Sequence, residues 1–482
     1  MTAGFRAVAA WTSPAAVAAV AASVYAGEPV APFATLALVA GALIALLHHP
    51  PVAPRRTLTW ARAATAAAVL GASLRVLGDA ARVHALPATG VVVAAAVLAV
   101  ALTSWPALAV RAFVLVPVGV AALLVVPLVI GLTSSRPPWR AWTEIASRPA
   151  LIFAAGSSAV TAGQPMFDPT TLVFTESHRV IAVTPGTYRT LEDDGGRRTV
   201  REWRLGSGEA LTLRPGDRLT VEAGARVRFE SGKRVPGVAA SGVAWASARG
   251  QRPFVTLVQA LGVVVTLVGG ALALVRAPAS AGRALAWGPI VVLLAALAPA
   301  AIGVYAVWAA PEVGLGAPWA APLVRLSAVA LPPAARAWVS AVVAGGLLAL
   351  FLASAGALRA ILRDGVPRAS TGWRRTLEPA LWIGVVALAV AMAHAPADPS
   401  TLLALGLGLV AAAVTAPGLA AEDGRAVLVG SLAGAVTLAA AVLAARGFSA
   451  GSSLGETLAR YPALVAAPLA WTVSRLQRAD RA

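Results

Sequence analysis

The sequence predicts a polytopic α-helical membrane protein carrying one inserted all-β domain, a sandwich or barrel-like fold, on a single side of the bilayer. Three observations predict it. Roughly eleven or twelve apolar runs approach the ~20 residues that a helix needs to cross about 30 Å of hydrocarbon. One polar stretch between Thr133 and Arg252 interrupts them, and inside it the hydrophobic period changes to two. The composition agrees: 58% hydrophobic, 12% charged, mean hydropathy +0.77, where a soluble domain averages about 25% charged residues.

In chain order, residues 1–132 hold the first spans, expected at 8–26, 30–48, 61–79, 87–105 and 110–132. The third contains Arg75 and Asp79. A connector at 133–169 follows. Arg136, Trp139, Arg140 and Trp142 lie just beyond the fifth span, where amphipathic side chains anchor at headgroups. Leu151–Ala162 is apolar and reads as an interfacial helix.

The β domain is expected over 170–252. Leu219 and Val221 alternate with Arg218 and Thr220; Ala225, Val227 and Phe229 alternate with Arg226, Arg228 and Glu230. Period two marks strands with one buried face. Turns at Pro185-Gly186, Asp194-Gly195-Gly196, Pro215-Gly216-Asp217, Ala223-Gly224 and Ser231-Gly232 separate them. The strands fall at 171–175, 178–183, 197–204, 209–213, 217–222, 225–230 and 242–246.

Residues 253–482 hold the later spans, at 254–275, 285–309, 337–358, 379–396, 400–416, 425–445 and 460–474. Between them 310–336 carries Pro311, Pro322, Pro332 and Pro333, which argue against a clean spanning helix. It reads as an outer interfacial or re-entrant piece, with Trp308, Trp319 and Trp338 at the membrane–water boundary.

Arginine sets the orientation. Net charge is +18, and Lys233 is the only lysine. Arg55, Arg56 and Arg62, then Arg276 and Arg283, then Arg359, Arg363, Arg368, Arg374 and Arg375, then Arg475, Arg478 and Arg481 all fall on one side of a twelve-span arrangement with a cytoplasmic N-terminus. Both termini are then cytoplasmic, in a bacterial inner membrane, and the β domain is extracytoplasmic. Positive charge here marks loops, so no nucleic-acid partner is expected; the partners are the bilayer and proteins in the membrane or periplasm.

No cysteine is present, which excludes disulfides, thiolate metal sites and cysteine nucleophiles. No phosphate loop of the GxxxxGK[ST] kind occurs. Ser134, Ser135, Ser157 and Ser158 lack a histidine or acid at a suggestive spacing. Among the histidines, His84 and His394 both fall at outer span ends and could share a cofactor if their spans are neighbours; wet interfacial rings are the simpler expectation. His48 and His49 end the second span, and His178 sits on a strand. No catalytic residue, metal or cofactor is expected.

Arg75, Asp79 and Arg82 are spaced to share one helix face. Ionisable groups inside a membrane are costly and often functional, so these three form the candidate polar intramembrane cluster. Arg197, Arg198, Arg201 and Arg204 form a candidate partner-docking surface on the β domain; an ordinary solvated strand face is the plainer alternative. The functional expectation is a non-catalytic membrane subunit or scaffold whose β domain docks a partner. The alternatives are a transporter or flippase for a small or lipid-linked solute, and an envelope-polymer or lipid-linked sugar enzyme.

Overall fold

The structure, a computed structural model, describes residues 8–28, 31–47, 59–104, 112–153, 166–167, 169–194, 197–247, 253–274, 287–316, 319–365, 371–395, 398–421, 423–447 and 453–479. Before the β region come α1 (Pro14–Tyr25), α2 (Ala31–Leu47), α3 (Thr59–Val83), α4 (Ala88–Ser104), α5 (Leu115–Ser134) and α6 (Pro138–Ser147). After it come α7 (Gly242–Ser247), α8 (Pro253–Leu274), α9 (Trp287–Ala309), α10 (Ala321–Ala330), α11 (Pro333–Gly365) and α12 (Thr371–His394). The chain closes with α13 (Pro399–Val410), α14 (Ala416–Ala420), α15 (Gly424–Gly447), α16 (Ser453–Arg460) and α17 (Ala463–Ala479).

Eight stretches among the described residues are long and apolar enough to cross a membrane: Thr59–Val83, Ala112–Ser134, Pro253–Leu274, Trp287–Ala309, Pro333–Arg363, Leu377–His394, Pro399–Ala420 and Gly424–Ala445. This is the pattern of a multi-pass membrane protein. The other four expected spans form shorter or more polar helices. Expected span 8–26 narrows to the 12 residues of α1, because Ser13 caps it and its hydroxyl accepts the Ala16 N–H at 3.4 Å. At 1.5 Å per residue such a helix covers about 18 Å. Helices α2, α4 and α17 reach 17 residues each, and α17 holds Pro468 within it and carries Arg475 and Arg478.

The third expected span lies deepest inside the helical body. Its apolar window is 83% buried, which explains how α3 tolerates Asp79: other helices surround it rather than lipid. It packs against α12, α13, α4 and α11. A π-helical stretch, Ala411–Thr415, joins α13 to α14, and there the Thr415 hydroxyl donates to the Gly269 carbonyl of α8 at 2.7 Å.

The described residues of 310–336 pack on other helices. Turns from Pro311 to Gly316 lead into α10, whose residues Ala321–Ser327 are buried against α9, α11, α1 and α3. The prolines break the helix, as expected, but the break folds inward. Trp338 is exposed, whereas Trp308 is tied down by a carboxylate.

The β region has seven strands in two antiparallel sheets: β1 (Thr170–Val173), β2 (His178–Ala182), β3 (Gly186–Asp194), β4 (Arg197–Leu205), β5 (Ala210–Leu213), β6 (Arg218–Val221) and β7 (Val227–Phe229). The four-stranded sheet runs β1-β6-β3-β4 and the three-stranded one β5-β2-β7. Tyr188, Leu219 and Val221 from the first share one core cluster with Val180, Leu213 and Phe229 from the second.

Two expectations change here. Strand β3 is interior to its sheet, although the sequence signals only turns between Pro185 and Gly196. Its inward positions are Tyr188 and Thr190, and a threonine does not register as a buried residue. Thr190 is buried because its hydroxyl accepts the Trp203 indole N–H at 2.9 Å. Residues 242–246 are helical rather than extended, being part of α7. Most of the apolar stretch 151–162, like Arg55, Arg56, His48, His49, Arg276, Arg283 and Arg368, lies outside the described residues.

Candidate ligand groove

The two segments that flank the β region in sequence meet beside the membrane helices. Helix α6 is amphipathic, opening on Pro138 and burying Ala141 and Ile145 while leaving Trp139 70% exposed. Arg136 and Glu144 form an ion pair across it, and the Trp308 indole N–H of α9 donates to Glu144 at 2.8 Å. Helix α7 packs on α6. Its Trp245 is 3% exposed and donates one indole N–H to the Val24 and Tyr25 carbonyls, 3.1 Å from each. Those carbonyls belong to the last turn of α1, where helix geometry leaves acceptors unsatisfied. The chain turns away at Gly27, with φ +65°, where an added Cβ would stand 2.6 Å from the Trp245 ring. Both facts require glycine there.

Trp142 and Trp245 lie with ring centroids 4.6 Å apart at 52°. With Trp139 they roof a groove of about 900 Å³. Its walls are apolar, built by Leu36 of α2 and Leu297, Ala300 and Val304 of α9. Ligand pockets commonly measure about 300–1,000 Å³, apolar with a few placed polar groups. The placed group here is Glu28.

Glu28 belongs to two spaces. It lines the groove, and it also lines an inner cavity of about 80 Å³ between α1, α2, α8 and α13. At that junction Arg460 of α16 donates to Glu28 at 3.0 Å, with side chains 34% and 27% exposed. The guanidinium lies 5.8 Å from the Tyr461 ring centroid. Deeper in, the Thr266 hydroxyl is buried without a hydrogen-bond partner.

A second polar centre sits under the β region. The Tyr25 hydroxyl donates to the Pro311 carbonyl at 2.5 Å and accepts the Gly314 N–H at 3.0 Å. Arg325 donates to the Val313 carbonyl at 3.0 Å, and buried Glu312 acts electrostatically on both Tyr25 and Arg325. These contacts shape turn 311–316, which carries the β region: Phe167 N–H donates to the Gly316 carbonyl at 2.7 Å, and Leu315 joins the β core. A buried acid and arginine 13 residues apart left no periodic signal.

The structure pairs the intramembrane candidates Arg75 and Asp79 on α3. Arg75 approaches Asp79 to 3.8 Å and donates to the Ala393 carbonyl of α12 at 3.1 Å. Asp79 is 1% exposed and Arg82 half-buried. None of the three lines the groove or the inner cavity. Arg75 joins α3 to the carboxyl end of α12, where the helix dipole favours a cation.

On the β region, Arg201 and Arg204 are exposed and fall on opposite faces of β4, as strand alternation requires. Arg201 pairs with Glu192 at 3.5 Å. The side chains of Arg197 and Arg198 lie outside the described residues. Helices α3 and α12 pack together, placing His84 and His394 at neighbouring helix ends, and the His394 ring bonds its own helix at the Val390 carbonyl, 2.8 Å away. No group of three or more metal-type ligands assembles among the described residues.

No protein-family model and no curated protein sequence matches this chain.

Proposed function

We propose that the protein takes an amphiphile from the bilayer into the groove beneath Trp139, Trp142 and Trp245, as a transporter or flippase for a lipid-linked solute would. The supporting observation is the junction at Glu28, where one carboxylate belongs both to an apolar groove and to a smaller inner cavity that Thr266 and Arg460 also line. An apolar chain in the groove would leave its head at the Glu28–Arg460 pair. The first expectation from the sequence, a non-catalytic subunit or scaffold, is the second reading; the groove with Glu28 at its junction is what favours the transporter over it.

The reading includes an orientation. The arginine-rich loops are cytoplasmic, as are both termini, in a bacterial inner membrane, and the β region is an extracytoplasmic sandwich. Tyr25, Glu28, Arg136, Glu144 and Arg460 then sit at the outer boundary, and the groove opens toward the outer leaflet. The test is lipid retention by the purified full-length protein, measured by mass spectrometry. Ala300→Trp fills the groove and should abolish stoichiometric lipid. Equal lipid in wild type and variant would refute the groove as the binding site.

A further inference from the structure

We propose that the head taken at this groove is zwitterionic, an ammonium and a phosphate carried on one lipid. This deepens the amphiphile reading and rests on it. Glu28 lines the groove and Arg460, lining the adjoining inner cavity, contacts it at 3.0 Å, so one carboxylate and one guanidinium make a neutral pair at the groove's end. Each is only about one-third exposed or less, with side chains 27% and 34% accessible. A head that separates this pair must supply a partner to both members. A purely anionic head would satisfy Arg460 and strand Glu28; a purely cationic head would do the reverse. Stranding a partly buried charge is strongly unfavourable. A head bearing both charges leaves every charge paired.

The roof supplies the second argument. Trp139 and Trp142 are partly accessible, 70% and 37% exposed, and both line the groove with Glu28. Indole faces attract ammonium groups, more so when the site is desolvated. A groove lined by a carboxylate and two accessible indoles is therefore a place for the ammonium, and Arg460 offers its donors to phosphate oxygens. The apolar walls at Leu36, Leu297 and Ala300 select a lipid over the same head free in water.

The experiment offers the full-length protein, in detergent, three lipids of matched chains: phosphatidylethanolamine, phosphatidylglycerol and diacylglycerol. Retention is read by native mass spectrometry. The expected order is phosphatidylethanolamine well above the other two. Glu28→Gln and Arg460→Gln should each lower its retention about tenfold, roughly the loss of one charge-assisted hydrogen bond. Trp139→Ala, which removes an exposed indole from the roof, should also lower phosphatidylethanolamine retention. Loss on Arg460→Gln with a gain on Glu28→Gln would mean an anionic head and overturn the proposal. Equal retention of all three lipids, sensitive to Ala300→Trp, would overturn the zwitterion claim and keep the groove. Retention insensitive to Ala300→Trp would overturn the groove reading itself.

Discussion

Two ion pairs in this molecule share one chemistry and differ in surroundings. Arg75 and Asp79 lie inside the helical body, at 23% and 2% side-chain exposure; Arg189 and Glu202 lie on the outer face of the β region, at 62% and 56%. The second pair is the closer, at 3.2 Å against 3.8 Å. Distance alone would rank it stronger, and burial reverses the ranking. Water screens Arg189 and Glu202 and would hydrate either one left alone. Asp79 has helices around it, so its arginine helps to keep a charge where no water compensates. The β region can carry many charges cheaply, and the helical body carries few, each tied to a particular contact.

The largest test of that contrast is Arg75→Met. It takes one arginine partner from a carboxylate that is 1% exposed, and losing a partner of a buried charge costs up to about 3–5 kcal/mol. Thermal unfolding in detergent should fall sharply, and adding Asp79→Leu should restore much of the loss. A variant as stable as wild type would show the cluster to be hydrated.

Gly27→Ala should come next. The substitution forces a side chain into a positive φ and against the Trp245 ring, and strained backbone of this kind costs about 1–3 kcal/mol. Loss of Trp245 fluorescence burial should accompany it. An unchanged emission spectrum would mean that the roof does not depend on this turn.

The β region has its own buried titratable group. His178 is 2% exposed, its ring 4.9 Å from that of Phe174, with Nε2 3.7 Å from Glu176. Burial is the largest influence and lowers its pKa below the usual imidazole value, opposed by Glu176 and Glu230 and assisted by Lys233. The folded state then binds fewer protons than the unfolded state just below about pH 6.5. Stability is therefore full above that pH and declines as pH falls through it. His178→Phe should flatten the decline in a thermal-unfolding series from pH 8 to pH 5. A stability rising on acidification would contradict the assignment.

The smallest effect is expected at Glu202→Ala. Exposed pairs contribute about 0.2–1 kcal/mol, and salt weakens them. A double-mutant cycle with Arg189→Ala in low and high salt should stay within that range. A coupling as large as that of Arg75 and Asp79 would remove the distinction drawn between the two regions.

The sequence made much of the fold legible and little of the site. Apolar length announces the long helices, and alternation announces β2, β5, β6 and β7, because one face of each strand is consistently apolar. Strand β3 escaped because its buried positions are a tyrosine and a hydrogen-bonded threonine. Asp79 was visible as an acid in an apolar run, and its spacing to Arg75 fixed their shared face. The groove was not visible. Its roof joins Trp142 to Trp245, its polar end joins Glu28 to Arg460, and its wall comes from α9. Contacts across 100 residues or more leave no local period; only the clustering of tryptophan at Trp139 and Trp142 hinted at a boundary with lipid.

The central claim is that the groove holds an amphiphile by its chain and presents the head to Glu28 and Arg460. The most direct measurement is a cryo-electron microscopy map of the full-length protein in lipid nanodiscs. The account predicts elongated density between Leu36 and Leu297, under Trp139 and Trp142, ending at the Glu28–Arg460 pair. A groove closed by its own helices, or filled by another protein segment, would contradict it.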